Sequence, residues 1–342
     1  MITPVPEVAA LTAYASPSLP AGIDLRLDGT ERPLPLPVGE AGSYPKAAEL
    51  EAALAERLDV PKDRVLVTAG ADEALDRICR AYLSSARVAV TTSPTFEMIK
   101  HYARLAGSAL REVPWYDEEL ELTALLDATQ GVRGIAAVAT PNNPTGVAVD
   151  PALLVELAKH RQEVLVVADL AYIEFAAADP TKELAKLENV VMTRTFSKAW
   201  GIPGARVGYA VGPAGVIAAM RVAGGPYSVA RPSLALALER LRGGEAEMRA
   251  YVAKARDEVK RMSLFLAKHG ISVPMSQANF VLLTGSKVPR LAELLAKRGI
   301  GLRAFPNDPR LADARRMVMP VDDTTYRRLE GALGEAFAEL DK

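Results

Sequence analysis

Along this chain, short β-branched and apolar runs alternate with stretches whose apolar residues recur every third or fourth position. The runs are Arg64–Thr68, Arg87–Thr91, Gly134–Ala139, Glu163–Ala168, Asn189–Thr193 and Arg206–Val211. Most are apolar at consecutive positions, which predicts strands covered on both faces. After Gly70, Leu75, Ile78, Cys79 and Tyr82 fall at i, i+3, i+4 and i+7 and predict one buried helix face. Cys79 therefore reads as a core residue rather than a reactive thiol. A further helix is predicted over Pro151–His160, with Asp150 as its cap and proline in its first position. Strands and helices alternating in this way predict an α/β fold with a largely parallel sheet.

The style changes after Arg231. A charged helical stretch, Glu245 to Lys268, leads to strands at Asn279–Thr284 and Arg316–Val321 with helices between and after them. This predicts a smaller α+β unit beginning near residue 235. Ahead of Tyr44 the chain is rich in Pro, Gly and Leu, with Pro33, Pro35 and Pro37 in a row of alternate positions, and reads as an extended arm. The expected division is an arm over 1–44 that packs on the smaller unit or a partner subunit, a large unit over 45–235 and a small one over 236–342.

Composition narrows the function classes. With 41 Lys plus Arg against 42 Asp plus Glu, the formal charge of −1 disfavours nucleic acid or an acidic membrane as partner. A hydrophobic share of 49% is that of a globular chain able to bury a large core. The uncharged stretch Val207–Met220 is interrupted by Gly212-Pro213 and is shorter than a membrane span. No basic residue precedes Arg26, unlike a signal peptide. The single cysteine forms no internal disulfide and suits a reducing cytoplasm. His101, His160 and His269 show no metal or triad spacing, so no metal is expected.

Four segments at predicted strand ends carry candidate chemistry. Thr195-Phe196-Ser197-Lys198 follows a buried run and precedes Arg206 by eight positions; an exposed loop lysine fits equally. Pro141-Asn142-Asn143-Pro144-Thr145-Gly146 is either a turn or a loop that aims an asparagine into a cleft. Asp169 with Tyr172 either caps the next segment or holds a cationic heterocycle. Gly70-Ala71-Asp72-Glu73 opens a helix, where free N–H groups suit a phosphate or simply make a cap.

Together these segments resemble a fold-type I aminotransferase of the aspartate aminotransferase superfamily that depends on pyridoxal 5′-phosphate (PLP). The resemblance is greatest to histidinol-phosphate aminotransferases and runs from Tyr44 onward. It is carried as well by Ser93-Pro94-Thr95-Phe96, Gly204 to Tyr209, Ala278 to Val281 and Gly301-Leu302-Arg303. It implies a large domain with a mostly parallel seven-stranded sheet between helices, and a smaller α+β C-terminal domain. It implies that Lys198 holds PLP covalently and moves the substrate α-proton, that Asp169 pairs with the pyridine nitrogen, and that Tyr172 and Asn143 bond the phenolic oxygen. Phe96 would stack on the ring, although a core aromatic fits too. Ala71 and Asp72 through their N–H groups, with Thr195, Ser197 and Arg206, would bind the phosphate. Tyr44 would reach that phosphate from a partner subunit, making a homodimer with shared sites. Arg316 would clamp the substrate α-carboxylate, and Arg303 would meet a distal anion or else form a surface salt bridge.

The implied reaction moves an amino group from an L-amino acid or amino-phosphate to a 2-oxo acid such as 2-oxoglutarate. A threonine-phosphate decarboxylase-like enzyme or a PLP-binding regulatory protein would use many of the same residues. The chain departs from the family pattern on the substrate side, at Thr30-Glu31-Arg32-Pro33, Arg231 and Pro320.

Overall fold

The computed structural model describes residues 2–12, 44–116 and 119–340. Pro33, Pro35, Pro37 and the Thr30–Pro33 departure lie outside the described residues. Seven strands form the main sheet: β1 (Val65–Thr68), β2 (Val88–Ser93), β3 (Ala109–Pro114), β4 (Gly134–Ala139), β5 (Val164–Asp169), β6 (Val190–Thr195) and β7 (Gly208–Val211). Their order is β1-β7-β6-β5-β4-β2-β3, and every pairing is parallel except those of β7 with β1 and β6. The central strands β4, β5 and β6 are buried at every position, as their continuous apolar runs require. Leu154, Leu157, Phe196 and Trp200 belong to the core on one side of the sheet, and Ile78, Tyr82, Ile99 and Met220 to a second core on the other. Each fully buried side chain of this size contributes about 1.5–3 kcal/mol.

The expected helix is found over Pro151–His160, and the Asp150 carboxylate accepts from the Ala152 N–H at 2.8 Å. Cys79 is buried in the core face of helix Gly70–Tyr82, and burial pushes its thiol up to about 12. β3 escaped the sequence reading because it is an edge strand, exposed at most positions and without an apolar run. The strand expected from Arg206 begins only at Gly208. Arg206 takes a left-handed φ of 52° at the end of a short turn over Pro203–Ala205, which is not strand geometry.

The smaller unit centres on β8 (Phe280–Leu283) and β9 (Arg315–Val318), an antiparallel pair with Leu282 opposite Arg316. Val281, Leu283 and Met317 pack there against Leu291 and Leu294 of helix Val288–Lys297 and Leu333 of helix Asp323–Leu340.

One expectation about organisation needs correction. Residue 235 falls inside helix Arg231–Gly243, whose Leu234, Ala237 and Leu241 share the large core with Met248, Val252 and Ala255. The smaller core takes over at Val259, midway along helix Glu245–Lys268. The sheet ends before the core it needs is complete, so the change of style at Arg231 precedes the change of core. Of the arm expected over 1–44, residues 2–12 and 44 are described, and the first of these meet the large unit. Val5 is buried and its N–H donates to Ala81 O at 2.8 Å, while Arg87 donates to Thr3 O at 2.8 Å. No helix among the described residues is long and apolar enough to cross a membrane. Among the same residues, no cluster of His, Cys, Asp or Glu could hold a metal ion.

Candidate active site

The parallel strands β1, β2, β4, β5 and β6 all deliver their carboxyl ends to one edge of the sheet, where ligands of open α/β sheets bind. β7 runs the other way, so its beginning lies at that same edge and brings Arg206 there. Gly208 is level with both Thr68 and Thr195. A Cβ on Gly208 would stand 2.4 Å from Gly70 C and 2.5 Å from Ala71 N, so glycine is what lets the helix N-terminus approach β7. Gly70 has φ +79°, and a Cβ there would meet Arg206 at 2.6 Å.

A cavity of about 300 Å³ results, and its walls include Ala71, Asp72, Phe96, Asn143, Asp169, Tyr172, Thr195, Ser197, Lys198 and Arg206. Every residue singled out for a cofactor lines it except Tyr44. That residue is half exposed and stacks on Tyr227 with centroids 4.6 Å apart, away from this cavity. Helix Gly70–Tyr82 starts without a side-chain N-cap bond, and its first N–H groups and positive dipole end favour an anion. Thr195 Oγ donates to Ser197 Oγ at 3.0 Å, and Arg206 reaches Ser197 Oγ at 3.4 Å and the Asp72 carboxylate at 3.1 Å.

Asp169 is 5% exposed at the end of β5 and has no ion pair among the described residues. Burial pushes its carboxyl up to about 6, against the lowering effect of the Thr193 hydroxyl at 3.0 Å and the Ala171 N–H at 3.3 Å. A buried carboxylate in this condition is stabilised by a cation placed against it. Tyr172 is buried edge-on to Phe280, and Lys198 Nζ sits 5.3 Å from the Tyr172 ring centre.

A wider cleft of about 920 Å³ opens from this cavity between the two units and shares Phe96, Asn143, Tyr172 and Lys198 with it. Arg316 and Arg303 both line the cleft, and their backbones exchange hydrogen bonds of 2.9 and 3.0 Å. Arg316 donates to Asn143 Oδ1 at 2.6 Å and lies 5.1 Å from the Phe280 ring centre, while its Nε is buried without a partner. Burial lowers its pKa; Tyr172 opposes that and Arg303 adds to it. Leaving such a donor unpaired costs roughly 1–3 kcal/mol, which an anionic ligand would recover. Arg303 is exposed and has no salt bridge among the described residues, contrary to the surface-pair alternative. Arg315, the adjacent residue, donates to Ala312 O and Ala314 O and lies outside the cleft.

Residues 38–332 match the family model "Aminotransferase class I and II". The chain belongs to this aminotransferase family. An aromatic amino acid aminotransferase of Mycobacteroides abscessus is 34% identical over 319 residues, covering 89% of this chain and 92% of the relative. A histidinol-phosphate aminotransferase of Geobacillus thermodenitrificans is 34% identical over 267 residues, covering 75% and 72%. The crystal structure of histidinol-phosphate aminotransferase from Sinorhizobium meliloti in complex with PLP superposes with a TM-score of 0.79 at 26% identity, covering 88% of this chain and 84% of that one. The fold is that of the fold-type I PLP enzymes, and the chain is an aminotransferase with PLP as its cofactor.

The residues present suit that cofactor. The cavity supplies N–H, hydroxyl and guanidinium donors for a phosphate, a buried carboxylate that lacks a cation, an aromatic side chain and one lysine. The sequence reading missed Lys100, Glu112 and Arg310, which line the wider cleft. Glu112 lies on the unrecognised edge strand and Arg310 in a short 3-10 helix, Pro309–Leu311, between Arg303 and β9. Only Lys100, one turn after the Thr95-Phe96 segment, was within reach of a sequence signal.

Proposed function

We propose that this aminotransferase takes its amino group from an L-amino acid or amino-phosphate and passes it to a 2-oxo acid such as 2-oxoglutarate, with Arg316 gripping an anion of each partner. The observation that carries this reading is the half-buried Arg316 guanidinium, bonded to the neutral Asn143, with its Nε buried and unpaired and with no carboxylate of its own among the described residues. A guanidinium grips a carboxylate or phosphate at two points and so fixes which α-bond faces the reacting group. Arg303 beside it serves a second anion, the distal carboxylate of a dicarboxylic 2-oxo acid or the phosphate of an amino-phosphate. Both relatives named above, one aromatic and one histidinol-phosphate, are compatible with this inner pair of arginines.

When bound, PLP supplies an electron-withdrawing ring that stabilises negative charge at the substrate α-carbon. Asp169 keeps the ring nitrogen protonated, and its burial makes that ion pair strong. Lys198 holds the cofactor and then, as a free amine, moves the proton at the substrate α-carbon. Tyr172 and Asn143 bond the phenolic oxygen, and Arg316 fixes Asn143 in turn. Ala71, Asp72, Thr195, Ser197 and Arg206 bind the phosphate, and Phe96 covers the ring. Tyr44 acts in the site of a partner subunit in a cytoplasmic homodimer, a role supported by its exposure outside its own cavity.

Single-turnover reaction of the holoenzyme with a panel of L-amino acids and phosphorylated amines tests the reading. Release of the 2-oxo product with recovery of the cofactor in its aminated form is expected. Carbon dioxide release without amination would identify a decarboxylase instead, and no turnover with any donor would leave a binding protein.

A further inference from the structure

Apart from Lys198 and Arg104, the latter exposed to water, the cations of the cleft fall into two groups. Arg316 and Arg303, at the inner end, have no carboxylate partners among the described residues. Arg316 touches Asn143, which also lines the cofactor cavity. Lys100, Glu112 and Arg310 line the cleft but not that cavity, and there the charges are paired. Glu112 Oε2 accepts from Lys100 Nζ at 3.1 Å and from the Ser93 hydroxyl, and stands 3.6 Å from Arg310 Nη2. Arg310 is gripped at two points by Asp308, at 2.8 and 2.9 Å. Lys100 is only 12% exposed, so its ammonium depends on Glu112 for compensation rather than on water. Phe305, Pro306 and Pro309 supply an uncharged wall on the same side of the cleft as Arg310.

We propose that Glu112 is a specificity-determining residue: by occupying Lys100 and Arg310 it makes the outer cleft unfavourable for a second anion far from the α-carbon and favours substrates whose far end is uncharged. This rests on the aminotransferase reading of the cleft. At this cluster a far anion must either displace Glu112 from both cations, with Lys100 partly buried, or lie beside the carboxylate and be repelled by it; Arg104, the other cation on that helix, is exposed and already compensated by water. An anion close to the α-carbon meets only the inner arginines. Glu112 thereby separates a short dicarboxylate or a compact amino-phosphate, which the site accepts, from a long dicarboxylate, which it rejects.

The test uses two unreactive ligands of comparable reach, pimelate and 3-phenylpropanoate, titrated calorimetrically into the holoenzyme at low salt. In Glu112→Gln, pimelate binding tightens at least tenfold while 3-phenylpropanoate stays within twofold. Adding Lys100→Met to that variant removes most of the gain. Lys100→Met alone leaves Glu112 less compensated, so it weakens pimelate several-fold and spares 3-phenylpropanoate, which gives an independent reading should Glu112→Gln fail to fold. The proposal is overturned if pimelate does not respond, or if both ligands shift together as a merely structural clasp would make them. Because neither ligand turns over, this outcome is separate from whether the wild type transfers amino groups.

Discussion

The cofactor cavity and the cleft beyond it are built in opposite ways. The cavity hangs on consecutive strand ends of one sheet, so hydrogen-bonded registers such as Asp169 opposite Thr193 and Gly208 opposite Thr195 set where its groups stand. The cleft is closed by side chains from two units, with Lys100 and Glu112 on one side and Arg303, Arg310 and Arg316 on the other. A sheet edge fixes chemistry that every member of a reaction class needs. A seam between units can change its charges without disturbing that edge.

The contrast can be broken most forcefully at Arg316. Arg316→Ala removes a partly buried charge-assisted contact, a loss of about 2–5 kcal/mol in transition-state binding, or roughly thirtyfold to several thousandfold in kcat/KM. Steady-state kinetics with the best donor measures it, and cofactor affinity should change little. Asp169→Asn reverses the pattern. It should cut kcat on the order of 10²–10³, the scale of losing one preorganised charge, without raising KM.

Asp169 also gives a pH signature in the cofactor-free protein. Its folded carboxyl lies at about 6, above the ordinary value near ~4, so the folded chain keeps its proton to higher pH. Stability therefore falls as pH rises from about 4 to about 6, by roughly 3 kcal/mol. Asp169→Asn should be more stable than wild type by about that much at pH 8 and by nothing at pH 4. Denaturant unfolding at the two pH values checks this, and equal gains at both would show that the carboxylate is not the cause.

Arg303 is exposed, so its effect is smaller. Arg303→Ala should lower kcat/KM about tenfold for a dianionic partner, the scale of one screened ionic hydrogen bond, and barely alter it for alanine. The least effect is expected at Tyr44. Tyr44→Phe keeps the stacking on Tyr227 and should weaken PLP binding several-fold. Mixing it with Lys198→Ala subunits should show the defect in the site of the other chain, and full activity of a monomer would contradict the shared site.

The cofactor side was legible because buried parallel strands are continuous apolar runs, and the residue just past each run is already at the ligand edge. That rule brings Asp169, Asn143 and Lys198 near the ligand edge, and the family resemblance supplied their roles. The outer cleft offered no such rule. Glu112 sits on a strand that is mostly exposed, and its Lys100 and Arg310 partners lie on a helix of the same unit and in a single 3-10 turn of a different one. Charged residues at exposed positions look alike in sequence, and only the folded seam shows which of them are paired. The core boundary was misread for a related reason: an amphipathic helix does not announce which of two neighbouring cores its apolar face will join.

Lys198 is the residue on which the whole site depends. Borohydride reduction of the holoenzyme should fix PLP to one lysine, blocking tryptic cleavage there and leaving the label on the single peptide Thr195–Arg206. Lys198→Ala should fold, carry no fixed label and turn over no donor. Label on any other lysine, or a Lys198→Ala protein that still transfers amino groups, would contradict the assignment of the site.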